Sequence, residues 1–219
     1  MGLSTSSDAH RLLSSIRREL VSLDGAIREH RYLDALDQGR VPRAELGVFA
    51  NEQRLIIESD RRSFLSLATR FPEPPAGEFF EWMAEGEHDA LGRLERFAAQ
   101  VGGYDDSSYL PRAGCHAYAA YVASLALNGS RVEVVMAFLA NLAAWGENCA
   151  RIARALAGRS DVSFFEFFAS PPEEFESRAL AVADEGLASG ESGDAAKRAA
   201  HLLQRFELLY WDTLADALH

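Results

Sequence analysis

Apolar residues recur at intervals of three and four along nearly the whole chain, and its seven prolines stand only at the edges of those stretches. That spacing lines one face of a helix. Proline inside a helix would remove a hydrogen bond and clash with the preceding turn, so its position at the edges leaves long helices uninterrupted. No alternating strand pattern competes, and the fold class is all-α.

The first helical pattern runs from about Ser7 to Gln38 and is expected to break near Asp24-Gly25, where Asp is a good N-cap. Gly39 then acts as a stop, and Pro42 as a first-turn proline opens a long helix to about Arg70. "FPEPPAGE" separates it from a helix over about Glu78 to Val101, which Gly102-Gly103 terminates. The loop "YDDSSYLPRAG" leads to a helix from about Cys115 to Leu127, ended by "NGS"; Arg131 to Leu156 form the next. "SFFEFFAS" reads as a short, mostly buried helix. Ser170 as N-cap and Pro171 in the first turn would start another, to about Leu187. The last helix begins near Asp194 and reaches Ala217. Seven to eight amphipathic helices joined by short loops imply a bundle whose sites lie between facing helices. A chain of 219 residues, 48% of them hydrophobic, can bury a full core as one domain, residues 1–219.

Charge and composition narrow the function. With 22 Lys plus Arg against 33 Asp plus Glu, the net charge of -11 repels phosphate backbones, so no nucleic acid is expected as a partner. No stretch approaches the roughly 18 apolar residues of a spanning helix, and the N-terminus lacks the apolar segment of a signal peptide. The expectation is a cytoplasmic protein without a membrane partner. Cys115 and Cys149 are too few for a disulfide framework and read as buried thiols.

Against this apolar background a few polar residues fall on the apolar faces. Gln53 and Asp60 interrupt the stripe of Leu46, Phe49, Ile56, Phe64 and Leu67; Glu87, with His88 beside it, interrupts that of Phe80, Met83, Leu91 and Leu94. Glu147 lies on a small-residue face. In "RFELLYWDTL", Glu207 shares a face with Leu203, Tyr210 and Leu214. A buried carboxylate without partners costs several kcal/mol or takes up a proton, so an inward acid usually has a hydrogen-bonding neighbour or a ligand. Asp60 is expected to pair with Arg61, Arg62 or a neighbouring helix, and Glu147 with Arg151 or Arg154. For Glu207 the aromatic setting would raise the pKa toward the range useful for proton transfer.

Metal chemistry is weakly supported. A di-iron bundle needs Glu-x-x-His on two helices and a Glu from each of two others. Glu85 with His88 supplies one pair; Asp216 with His219, the other candidate, sits where a chain end frays. The set for a metal-dependent oxidase would be Glu85, His88, Glu147 and Glu207. No metal and no cofactor are expected, and no glycine-rich phosphate loop is present.

The ending "RFELLYWDTLADAL" resembles the "YE-x-x-FWD" helix that closes members of the TenA/THI-4/PQQC family. "LDQGRVPRAELGVFANEQ" is similar to that family's early segment ending in "QD", and "HAYAAYVASLALNGSRVEVVMAFLANLAAWGE" to its "YT-x-Y-L" and "AALLPC-x-W-x-Y" helices. The resemblance implies a heme-oxygenase-like helical bundle around a central pocket, assembly as a dimer or tetramer, and, in thiaminase-type members, a reaction on thiamine or its aminopyrimidine breakdown products. Carried over residue by residue, the family's active-site glutamate falls on Glu207 and the tyrosine of the "YT-x-Y" helix on Tyr118. The nucleophilic cysteine falls on Asn141, which cannot form a covalent intermediate. The pyrimidine-gripping aspartate falls on Gln53, or on Glu52 if the alignment slips by one, and a ring-stacking tyrosine falls on Trp145.

The implied function is a small-molecule pocket protein, with cysteine-independent hydrolysis of a nitrogen heteroaromatic as its reaction. Glu207 would be the catalytic acid or base, and Tyr118, Trp145, Gln53, Asn141, Glu147 and His88 would contact the ligand. The alternatives are a non-catalytic binder or biosynthetic accessory protein, and the metal-dependent oxidase.

Overall fold

The computed structural model describes residues 7–104 and 108–218. Among these the chain forms nine α-helices and no strand: α1 (Asp8–Arg28), α2 (Arg31–Asp37), α3 (Arg43–Arg70), α4 (Ala76–Val101), α5 (Ala113–Asn128), α6 (Arg131–Leu156), α7 (Ser163–Ala169), α8 (Phe175–Ala188) and α9 (Gly193–Asp216). Helices α3 and α4 pack closely, as do α6 and α9, and α5 bridges α3 to α9. No described helix is long and apolar enough to cross a membrane.

Local signals account for most boundaries. Ser130 accepts a hydrogen bond from the Glu133 amide while the Glu133 carboxylate accepts one from the Ser130 amide, a reciprocal cap that starts α6 where expected. At the end of α4, Gly102 takes φ 136° and Gly103 φ 78°, conformations that side chains disfavour.

Two boundaries differ from the sequence expectation. The first pattern does not break at Asp24-Gly25: α1 runs through to Arg28, and His30 caps α2 by accepting from the Tyr32 amide. Asp24 is instead engaged by the Gln204 side-chain amide at 2.6 Å, so the carboxylate that would have capped a helix serves a tertiary contact. Similarly, α8 begins at Phe175, not at Ser170-Pro171. Pro171 is itself followed by Pro172, whose ring biases the preceding residue away from helical geometry. The loop expected after Gly103 lies partly outside the described residues.

Buried apolar residues form two clusters. One gathers Leu13, Ile16, Phe64, Phe80 and Phe138; the other gathers Phe49, Phe97, Phe165, Trp145 and Trp211. Tyr118 and Leu142 touch both. Two glycines let neighbouring helices approach closely. A Cβ on Gly114 would meet the Thr213 side chain, so the missing side chain lets α5 lie close against α9. A Cβ on Gly146 would stand 2.9 Å from the Phe168 carbonyl oxygen, which likewise lets α7 press onto α6.

Candidate functional site

At the seam lies a chamber of about 50 Å³. A water molecule needs roughly 10–15 Å³ of such space, so the chamber has room for a few waters or a small polar group. Gln53 and Asp60 reach it from α3, Glu87 from α4, Tyr118 from α5, Asn141 and Trp145 from α6, and Glu207 and Tyr210 from α9. Phe138, Leu142 and Phe168 form part of its apolar wall.

Glu207 is only 3% exposed. Trp211 donates its indole N–H to Oε1 at 3.2 Å, and the Asn141 amide donates to Oε2. Burial pushes the Glu207 carboxyl up to about 7, against the pull of the Trp211 and Asn141 hydrogen bonds. Both protonation states are therefore populated near neutrality.

Asn141 is the hub of the polar network. Its carbonyl accepts from the Tyr118 hydroxyl at 2.9 Å, while its amide group donates to Gln204 Oε1 at 2.8 Å as well as to Glu207. Gln204 continues the chain to Asp24, whose carboxyl burial also raises. A side amide offers two donors and a carbonyl acceptor, and here each group is engaged. On the other side of the chamber Gln53 donates to the Tyr210 hydroxyl at 2.8 Å.

A larger groove of about 280 Å³ adjoins this chamber. Glu87, Phe138, Leu142 and Phe168 line both spaces, so these four side chains form the partition. Trp82, Met83, Phe167 and Phe175 make the groove's apolar walls, with Pro171 and Pro172 beside them. "SFFEFFAS" thus divides its work: Phe164 and Phe165 are buried in the core, whereas Phe167 and Phe168 face the groove.

Five of the residues singled out from sequence meet here: Glu207, Tyr118, Trp145, Gln53 and Asn141. Glu52 does not line the chamber; it accepts from Tyr109 and from the Arg112 amide, tying α3 to the start of α5. Two other candidate residues lie away from the chamber. Glu147 has an exposed side chain and pairs with Arg28 at 2.7 Å, not with Arg151 or Arg154, because its face of α6 turns outward. His88 is also exposed: on α4 it lies one residue, and so about 100°, beyond Glu87, which carries it off the inward stripe.

Replacing His88 or Glu147 by Ala is therefore expected to leave ligand affinity within about twofold of wild type, as surface changes away from a site do. Titration of each variant checks this; a tenfold loss would return that residue to the site.

The proposed oxidase set does not assemble either. Glu85, His88 and Glu147 are exposed while Glu207 is buried, and His219 lies outside the described residues. No group of three or more His, Cys, Asp or Glu among the described residues is placed to hold a metal ion.

The sequence pattern noticed Asp60 and Glu87 without placing them at the site. Asp60 finds none of the expected arginine partners; it is 4% exposed, lines the chamber, and leaves Oδ1 without a hydrogen-bond partner. Tyr210 was legible only as one more apolar-face residue beside Glu207.

The fold defines an all-α class, a bundle with a small chamber between its helices. The chain matches the model of the TENA/THI-4/PQQC family over residues 17–217, and it belongs to that family. No curated protein sequence matches it. Its fold is similar to that of a TenA homologue from Pyrococcus furiosus, at 18% identity and a TM-score of 0.75, over 93% of this chain and 99% of that one. A putative TenA-like thiaminase from Sulfolobus solfataricus aligns with a TM-score of 0.68 at 12% identity, over 97% and 98% of the two chains. A domain of unknown function with a heme oxygenase-like fold from Shewanella denitrificans aligns at 0.65 and 13%, over 93% and 90%. The fold is the all-α heme oxygenase-like bundle.

Proposed function

We propose that this TenA-family protein is a hydrolase for a small nitrogen heteroaromatic and works without a cysteine nucleophile. Glu207 carries the proposal: it is a buried carboxyl beside an open space, raised to about 7, and held by Trp211 and Asn141 in one orientation. A general base needs a proton affinity near the working pH, and Glu207 has it. In the proposed reaction Glu207 takes a proton from water as the water oxygen bonds to the electrophilic carbon of the ligand. The carbon–nitrogen bond then breaks, and Glu207 returns the proton to the leaving nitrogen.

Tyr118 and Trp145 would hold the ring, and Gln53 and Tyr210 would read its polar edge. The chamber takes the reacting edge, while the remainder of the ligand lies past Phe168 and Leu142 in the groove. Asn141 cannot attack, and both cysteines are free, buried thiols whose pKa burial raises, so a covalent route through a cysteine thiolate is disfavoured. The same proposal takes the chain as a homo-oligomer, dimer or tetramer.

The full hydrogen-bond complement of Asn141 favours a second reading, a binder that has lost covalent chemistry. Incubation of the purified protein with a panel of aminopyrimidines, followed by mass spectrometry, separates the two. Hydrolysis products are expected; a ligand that raises the melting temperature but is recovered unchanged would favour the binder.

A further inference from the structure

From the arrangement of acids around the chamber and the groove, we infer that the ligand carries a protonated amine, held by Asp60 and Glu87 at the end of the chamber formed by α3 and α4. This inference rests on the proposed pocket function and adds a charge class to its ligand. Its geometric basis is the buried Asp60 carboxyl, which lines the chamber yet leaves Oδ1 without a partner. An unsatisfied buried acceptor costs the full desolvation penalty of the group unless something donates to it. Glu87, on the partition between the two spaces, disfavours a second charge on Asp60 and so adds to the rise that burial causes; an ammonium group between the two would favour their ionised forms.

Among the described residues that line the chamber or the groove, none is Lys, Arg or His. Glu85 and Asp89 stand in the groove, Glu87 at the partition, and Asp60 and Glu207 inside. An ammonium group moving inward therefore meets the carboxyls of Glu85 and Asp89 before those of Glu87 and Asp60, while Arg93 and Arg178 stand over the Phe167 and Trp82 rings of the groove wall, and the net charge of -11 draws cations toward the protein from a distance. An anionic ligand would meet the opposite field. Because no described cluster suits a metal ion, the cation that fits is an organic one with directed N–H donors. The apolar groove beyond Glu87 would accept the body attached to that amine.

Three probes of nearly equal shape test this: benzylamine, benzyl alcohol and benzoate, titrated by calorimetry at about pH 8, close to the value to which burial pushes Glu87. Benzylamine is expected to bind at least about tenfold more tightly than benzyl alcohol, the ratio that one charge-assisted hydrogen bond supplies, and benzoate to bind more weakly than either. The Asp60→Asn and Glu87→Gln variants, checked for native helix content by circular dichroism, should bring amine and alcohol to within about twofold of each other. Equal binding of amine and alcohol by the wild-type protein would overturn the inference, as would binding of none of the three. Retention of the amine preference in both variants would overturn it too, and would make Glu207 the counter-ion. Aminopyrimidine turnover without an amine preference would sink this inference alone, whereas an amine preference without turnover would sink the hydrolytic reading alone.

Discussion

Glu207→Gln is expected to lower turnover of the protein's substrate by about 10²–10⁴-fold while leaving the fold intact, the range over which a positioned general acid–base group acts. The substitution keeps the shape of the side chain, and its amide oxygen can still accept from Trp211 or Asn141. The ionisable carboxyl is lost, together with one of the two acceptors that Trp211 and Asn141 donate to. Steady-state kinetics on any hydrolysed ligand checks this: a kcat within a factor of three of wild type would remove Glu207 from the chemistry. In wild type the activity should rise as Glu207 ionises near pH 7.

The same substitution has a stability signature. The folded state holds the Glu207 proton up to about pH 7, whereas the unfolded chain releases it near the ordinary value of 4.5. The stabilisation contributed by that proton is fully present below about pH 4.5, and it is lost as the pH rises through about 7. The stability difference, Glu207→Gln minus wild type, should therefore grow across that window by an amount on the order of a few kcal/mol, and flatten above it. Denaturant melts at acid and neutral pH measure the difference. A constant offset would mean that the acid titrates normally.

The second large effect is on stability. Trp211→Ala should cost about 3–5 kcal/mol, the usual loss when a fully buried Trp leaves a cavity. In a chain of this size that lowers the melting temperature by roughly 6–20 °C. Trp211 is fully buried, and its ring lies 5.8 Å from both Tyr32 and Trp145 and 5.3 Å from Tyr210, centroid to centroid, so it joins α2, α6 and α9. Trp211→Phe separates packing from polarity. Most of the stability should return, but Glu207 loses an N–H donor that lowers its pKa, and the activity profile should move to higher pH. A thermal melt unchanged in Trp211→Ala would contradict the packing described here.

Helix content was legible along the chain because each helix must bury a stripe, and a stripe leaves a period that no partner has to supply. The 131–156 helix was readable to both ends, since Ser130 and Glu133 satisfy its first amides locally. Where a residue had two uses, sequence could not choose. Asp24 reads as an N-cap until Gln204, 180 positions away, claims its carboxylate. Inward acids posed the same difficulty. Glu207 and Glu147 both sit among small or apolar neighbours in sequence, yet one faces the chamber and the other pairs with Arg28 in solvent.

What the sequence determined by itself was the all-α class, most helix limits and the presence of acids on apolar stripes, because these depend on contacts a few residues apart. Only the tertiary structure decided which acids share a space. Asp60, Glu87 and Glu207 come from three helices whose approach depends on long-range packing, and a burial penalty is set by neighbours far away along the chain.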